Sequence, residues 1–296
     1  MVLVEALDQF ALGDLEVVAG EEEVARTAYV SLGSAGPVVS FATEEHSVLI
    51  VRGEPVRFGQ LSWHPPGGRF HERITARTSW GRVRLLPGGP AFRRLASAPW
   101  AASPRHVVSD SAQNRALLKA FHTILRLAEP GGEPLMGGSS TESLETALLE
   151  HLAHCLDHGR ILRPSAARRR HHEIMLRFED LLPVWCERPT QVRDLGRALG
   201  VSERTLRACC EEQVGMGPHR YLRLHRLNLV HRALRRSDPA TTSVASIARR
   251  YGFEELGRFA ALYRLTFGQL PSSTLAQKLG AFTATVKQDS VGPLDA

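Results

Sequence analysis

Lysine is nearly absent from this 296-residue chain. Of its 37 basic residues only Lys119, Lys278 and Lys287 are lysines, so arginine carries almost all the positive charge. Arginine offers a planar fork suited to phosphate groups and guanine edges. Because the whole chain shares this bias, the location of the charge says more than its identity. No apolar run approaches the ~20 residues needed to cross a bilayer, which excludes a spanning helix. The opening residues, Met1 to Asp8, are acidic and lack a signal-peptide pattern. Cysteine is scarce: Cys155, Cys186, Cys209 and Cys210 show no Cys-x-x-Cys spacing. Neighbours such as Cys209 and Cys210 rarely bridge each other, so reduced thiols in a cytoplasmic protein are expected.

What is present fits an ordinary globular protein. The chain is 43% hydrophobic and 23% charged, and long enough for two domains with separate cores. Net charge is +6, unevenly distributed: residues 164–277 hold 19 Arg against 11 acidic residues, the remainder 18 basic against 20 acidic. The C-terminal third therefore carries all the excess positive charge.

That third also repeats itself. Its first copy runs from Val192 through Leu195, Gly196, Leu199, Gly200, Val201, Ser202 and Leu206 to Cys210, closing with Gly215 and Pro218. Its second runs from Val244 through Ile247, Ala248, Tyr251, Gly252, Phe253, Phe259 and Tyr263 to Gly268 and Pro271. Gly196/Ala248, Gly200/Gly252 and Val201/Phe253 lie 52 residues apart; Leu206/Phe259, Cys210/Tyr263, Gly215/Gly268 and Pro218/Pro271 lie 53 apart. The second turn is one residue longer. A small residue at 196 or 248 permits a close helix crossing. Gly200 and Gly252 fall where a helix ends in a left-handed cap, and Ser202 can cap the next helix. One helix-turn-helix pattern is weak evidence, but two in register point to a reader of duplex DNA. Pro218 starts a helix running to about Arg236 between the copies; at 1.5 Å per residue it spans about 28 Å. Adjacent major grooves lie about 34 Å apart, so this rod can set both second helices in successive grooves.

The front of the chain, residues 1–105, reads as short strands at Glu16–Val18, Ala28–Leu32, Val38–Phe41, Val48–Val51 and Val56–Phe58, broken by Gly and Pro. A pointed segment, Gly59 to His71, places a strand, a Pro65-Pro-Gly-Gly68 turn and a second strand in sequence. Such strands suggest a small antiparallel barrel or sandwich. Residues 106–163 turn helical, with one apolar face from Ala116 to Ala128, a break at Pro130–Gly132, a loop at Gly137–Thr141 and a second helix from Leu144 to Asp157. They could cover the barrel or pair with a second chain. The basic stretch Arg163 to Arg170 reads as a linker, followed by a helix to about Leu182. Residues 278–296 lack pattern and read as a flexible tail.

The stretch from about His172 to Leu275 resembles the AraC/XylS family of bacterial transcription regulators. The matching pieces are Asp194–Leu206, Gly215–Leu222, Arg226-Leu227, Ile247-Ala248, Tyr251–Phe253, Gly257–Phe259 and Tyr263–Pro271. Gly59–His71 is similar to the cupin-like sensor segment of many members. The implied fold is α+β: an N-terminal cupin-like antiparallel β-barrel with a helical segment, then an all-α domain at 164–277 with two helix-turn-helix units. The resemblance implies a ligand-responsive homodimer, acting at promoters with double-stranded DNA, RNA polymerase and a small-molecule effector as partners and no cofactor. Carried over, Ser202, Glu203, Arg204, Thr205, Arg207 and Ala208 face the groove in the first unit. In the second they are Glu255, Leu256, Gly257, Arg258, Ala261 and Arg264. Cys210 replaces the family's usual Phe, implying a looser corner. Ala208 and Ala261 stand where some relatives carry a base-reading Arg, which leaves the second unit Arg258 and a mainly phosphate-gripping role.

His151, His154, Cys155 and His158 share a helical face at metal-ligand spacing, but with 13 histidines in the chain such a cluster arises easily by chance. A metal-dependent cupin enzyme would need a close His pair plus a carboxylate, whereas His64 and His71 are seven apart, with Glu72 beside the second. No metal site is therefore expected. Phe41, Trp63, Phe70 and His71 are the candidate lining of a metal-free sensor pocket. A DNA-repair methyl acceptor would need an activated, accessible cysteine, which no motif here supplies. No catalytic residues are expected.

Overall fold

Two-residue alternation governs the front half. The computed structural model describes residues 5–128, 139–186, 191–276 and 289–291. It opens with strands β1 (Glu5–Leu12), β2 (Leu15–Glu22), β3 (Arg26–Ser31), β4 (Val38–Ala42), β5 (Val48–Val51), β6 (Glu54–Arg57), β7 (Gln60–His64), β8 (Arg69–Ile74) and β9 (Thr78–Leu85). Helix α1 (Pro90–Ala96), strand β10 (Arg105–Val108), helices α2 (Ser111–Ala128) and α3 (Ser139–His158) and strand β11 (Arg160–Leu162) complete this half. Seven helices follow: α4 (Ala166–Trp185), α5 (Val192–Leu199), α6 (Glu203–Val214), α7 (Pro218–Arg236), α8 (Val244–Arg250), α9 (Leu256–Phe267) and α10 (Pro271–Ala276). Strand β12 (Asp289–Val291) pairs antiparallel with β3.

The protein is thus of mixed α/β class, with sheets N-terminal and helices C-terminal. The strands form a seven-stranded sheet, ordered β1-β2-β9-β4-β7-β10-β11, and a five-stranded sheet, ordered β12-β3-β8-β5-β6. Along β4 and β7, Val39, Phe41, Leu61 and Trp63 turn to a face covered by Leu117 and Phe121 of α2 and Leu148 and Leu152 of α3. The residues between them, Ser40, Ser62 and His64, turn the other way and are also buried. Gly81 of β9 is required by this packing, since a Cβ there would lie 2.6 Å from both Phe41 and Phe121. A second cluster, including Leu49, Val56, Phe70, Ile74 and Trp80, fills the front half elsewhere.

Several boundaries differ from the sequence expectation. Helix α3 begins at Ser139, inside the segment read as a loop, because Ser- and Thr-rich runs suit a helix N-terminus as well as a loop. Helix α4 begins at Ala166, where the Ser165 side chain accepts from the Arg168 N–H, leaving Arg163–Ser165 as the connection after β11. Pro130–Gly132 and most of residues 278–296 lie outside the described residues. The long helix α7 spans Pro218–Arg236 as the sequence indicated.

Candidate nucleic-acid interface

The two repeat copies make the same backbone bonds. In the first, the Val201 N–H donates to the Gly196 carbonyl at 2.9 Å; in the second, Phe253 donates to Ala248 at 3.0 Å. Gly200 donates to Arg197 at 3.1 Å and Gly252 to Arg249 at 2.9 Å, both glycines holding positive φ. At the far end Gly215 donates to Glu211 and Gly268 to Arg264, again with positive φ near 70°. A Cβ on Gly196 would sit 2.9 Å from the Val201 carbonyl, so the tight corner requires a residue without a larger side chain.

In the first unit the Ser202 hydroxyl accepts from the Thr205 N–H at 3.0 Å and starts α6. One side of α6, with Leu206, Cys209, Cys210, Gln213 and Val214, is buried. Ser202, Glu203, Arg204, Arg207 and Ala208 are exposed and Thr205 is half-buried. The sulfur of Cys210 lies 3.6 Å from that of Met175, so the α4 methionine fills space at the position where a Phe was expected. In the second unit the extra turn residue leaves α9 without a side-chain cap at Glu255. Phe259 and Tyr263 anchor α9 to the core, while Glu255, Gly257, Arg258, Ala261 and Arg264 are exposed and Leu256 is half-buried. The Tyr263 hydroxyl donates to Thr274 at 2.9 Å, tying α9 to α10. Arg258 pairs with Glu255 at 3.0 Å on the open surface, an interaction weak enough to yield to a phosphate.

The four residues expected to line a sensor pocket do not converge. Phe41 and Trp63 lie beneath α2 and α3, Trp63 donating to the Ala101 carbonyl at 3.0 Å. Phe70 stacks on His64 at 3.7 Å between ring centroids. His71, one residue on, turns the other way: its Nε2 lies 2.8 Å from Glu179 of α4 and 3.2 Å from Tyr221 of α7. His64 instead pairs with Ser62 at 2.8 Å, so the two histidines share no partner. On α3, His154 and His158 stack while Cys155 is buried against Ser109. Among the described residues no three His, Cys, Asp or Glu side chains are grouped to hold a metal ion.

All four cysteines are buried. Burial pushes the Cys209 thiol up to about 11 and raises that of Cys210 further in the same direction. Since the thiolate is the reactive form, a disulfide reagent at pH 8 should find no fast-reacting thiol in native protein and four after denaturation. Rapid labelling of the native chain would contradict this packing.

Contacts between the sheets and the DNA-binding helices are the feature sequence reasoning missed. Glu179 accepts from the Tyr221 hydroxyl at 2.5 Å as well as facing His71. Thr27 donates to the Val214 carbonyl at 3.2 Å, Gln213 donates to the Arg52 carbonyl at 3.0 Å, and Arg168 pairs with Glu54 at 2.7 Å. Arg69 also pairs with Asp180. One sequence signal was available: Glu179 sits among Ile174, Met175, Phe178 and Leu182 on the apolar side of α4, where a carboxylate needs a partner.

Two matched units with buried anchors and exposed second helices define a helix-turn-helix DNA-binding protein. The helix-turn-helix domain family matches residues 195–277. The probable thc operon regulatory protein of Rhodococcus erythropolis is 38% identical over 96 residues, 32% of this chain and 29% of that protein. XylDLEGF operon transcriptional activator 2 of Pseudomonas putida is 39% identical over 92 residues, 30% of this chain and 57% of that protein. Residues 195–277 thus carry an AraC/XylS-type helix-turn-helix domain, similar to those of these operon regulators. The chain therefore spans 29% and 57% of these relatives' lengths, and the likeness concerns the DNA-binding region. The solved AraC-like transcriptional activator CuxR aligns with 75% of this chain and 78% of its own at 15% identity and a TM-score of 0.40. No described helix is long and apolar enough to cross a membrane.

Proposed function

We propose that this protein is a ligand-responsive, dimeric regulator in the cytoplasm that binds promoter DNA and acts on RNA polymerase. Residues 164–277 form the DNA-binding domain in this reading. Residues 1–105 form a cupin-like sensor, and α2 and α3 cover it or pair two copies. The observation that carries it is the two-faced character of α6: Leu206, Cys209 and Cys210 are buried while Arg204, Arg207 and Ala208 are exposed. That face suits a major groove, and Arg204 is its best base reader. The second unit contributes Glu255, Leu256, Gly257, Arg258, Ala261 and Arg264, with Arg258 gripping phosphate. Neither an enzyme nor a repair protein has an observation in its favour. His64 and His71 have separate partners, and no cysteine is accessible.

Binding of the full-length protein to promoter fragments and to random duplex, followed by fluorescence anisotropy over a salt series, tests this. Affinity should fall steeply with salt as counterions are released. Arg204→Ala should cost ~1–3 kcal/mol and relax one position of the site. Arg258→Ala should weaken all sequences alike and reduce the salt slope. Equal affinity for every promoter fragment and random duplex would remove the proposal.

A further inference from the structure

Strand β8 turns its two faces to different partners. Phe70, Glu72 and Ile74 point into the front half and are buried there. Arg69, His71 and Arg73 alternate with them and meet the DNA-binding helices. Arg69 pairs with Asp180, His71 faces Glu179 and Tyr221, and Arg73 packs on Gly215. The first two reach α4 and α7. The third reaches the C-terminal cap of α6, the helix that carries Arg204 and Arg207.

The front half holds that end of α6 at three points. Thr27 of β3, opposite Arg73 in the sheet, donates to the Val214 carbonyl at 3.2 Å. Gln213 donates to the Arg52 carbonyl at 3.0 Å, and a Cβ on Gly53 would lie 2.6 Å from the same amide nitrogen. A Cβ on Gly215 would run into the Arg73 guanidinium and lie 2.9 Å from its Cδ, a second reason for glycine besides its positive φ. The other end of α6 is open, with Ser202, Glu203, Arg204 and Arg207 exposed.

The grip of Arg73 is electrostatic. A helix C-terminus carries a partial negative charge that a nearby cation stabilises. Helix α6 has no basic residue in its own last turn, and Arg73 brings one from another element. Its Nε is buried without a hydrogen-bond partner, and burial lowers its pKa with no carboxylate opposing. Arg26, Arg69 and Arg82 each reach a carboxylate, whereas Arg73 faces the end of α6.

We propose that Arg73 is a positioning residue for base reading: it sets the pitch of α6, so the first unit's sequence preference depends on a side chain outside the DNA-binding domain. The inference rests on reading α6 as a groove helix with Arg204 as its base reader. A helix of 12 residues is a rigid rod about 18 Å long, so a shift at Gly215 is carried to Arg204. The second unit supplies an internal control. At Gly268, the counterpart of Gly215, an added Cβ would meet nothing within 4 Å, so α9 has no such grip at its cap.

Fluorescence anisotropy of the full-length protein with promoter fragments and random duplex tests it. Arg73→Met should weaken promoter binding by roughly fivefold or more, and random duplex by less than about twofold. Arg73→Lys, which keeps the cation, should restore most of the difference. In a double-mutant cycle, Arg73→Met and Arg204→Ala should depart from the product of their single effects by about threefold or more. Arg73→Met and Arg258→Ala, on α9, should multiply to within about twofold. Thr27→Val removes a neighbouring bond on the same turn and should couple to Arg204→Ala in the same sense, a test that remains if Arg73→Met does not fold. Unchanged affinity in folded Arg73→Met, equal losses on promoter and random duplex, or coupling to Arg258 as large as to Arg204 would each overturn the proposal. So would independence from an Arg204→Ala change that itself weakens binding. If Arg204→Ala has no effect while Arg73→Met still lowers promoter binding selectively, the base-reader assignment fails and the positioning role stands.

Discussion

Glu72→Gln should lower the stability of the folded protein by about 3–5 kcal/mol in urea unfolding. Glu72 is fully buried and accepts from Arg26 at 2.9 Å and from Arg82 at 2.6 Å. Arg26 also pairs with Glu22 at 2.5 Å, and Glu22 accepts the Trp80 N–H at 2.9 Å. Two carboxylates thus balance two guanidiniums inside the sheets. The amide keeps the shape but removes one charge, leaving buried positive charge uncompensated. Such pairs matter less for net stability than for what their loss exposes. A change below about 1 kcal/mol would mean that water reaches these groups and screens them.

The same carboxylate sets a pH dependence. Burial alone would raise the Glu72 pKa, but Arg82 and Arg26 more than offset it and hold the group below the ordinary carboxylate value of 4.5. A depressed folded pKa means that the unfolded chain takes up the proton first. The contribution is therefore complete above pH 4.5, and it is lost as the pH falls from there through the folded value. Glu72→Gln should remove that component, so the difference between wild type and variant shrinks in acid.

The second large effect is expected at the seam between the halves. Glu179→Ala deprives two buried groups, the Tyr221 hydroxyl and His71 Nε2, of their shared acceptor. Unsatisfied buried polar groups cost roughly 1–3 kcal/mol each, and because His71 and Tyr221, 3.2 Å apart, can still bond each other, a loss of about 1–3 kcal/mol follows. Glu179→Gln, which keeps an acceptor oxygen, should lose less. Calorimetric melting of both variants checks this; equal melting temperatures for wild type and Glu179→Ala would show that the contact does not hold the halves together.

How much of this was legible in advance differs sharply between the two halves. The DNA-binding units could be read because their demands are local. A positive φ selects Gly200, Gly215, Gly252 and Gly268, a close helix crossing selects Gly196 and Ala248, and a 3.6-residue period sorts buried Leu206 and Cys209 from exposed Arg204 and Arg207. In the front half, strands β2 to β6 were visible as apolar runs and β7 and β8 in the Gly59–His71 segment, yet β9, like β1, β10 and β11, was missed. Its composition, with Gly81, Arg82 and Arg84, looks like a loop. It nonetheless lies inside the larger sheet, between β2 and β4, where Arg82 finds Glu72 and Ser40.

The sequence by itself determined the duplicated corner, the connecting helix Pro218–Arg236 and the face of α6 turned outward, since each follows from contacts within about twenty residues. Only the tertiary structure decided that Phe41 and Trp63 lie under helices, that His71 meets Tyr221 across 150 residues, and that the Arg52 carbonyl meets Gln213 across 161. A strand's alternation tells which residues share a face but not what covers that face. That is settled by packing between segments far apart in the chain, which leaves no periodic trace in either one.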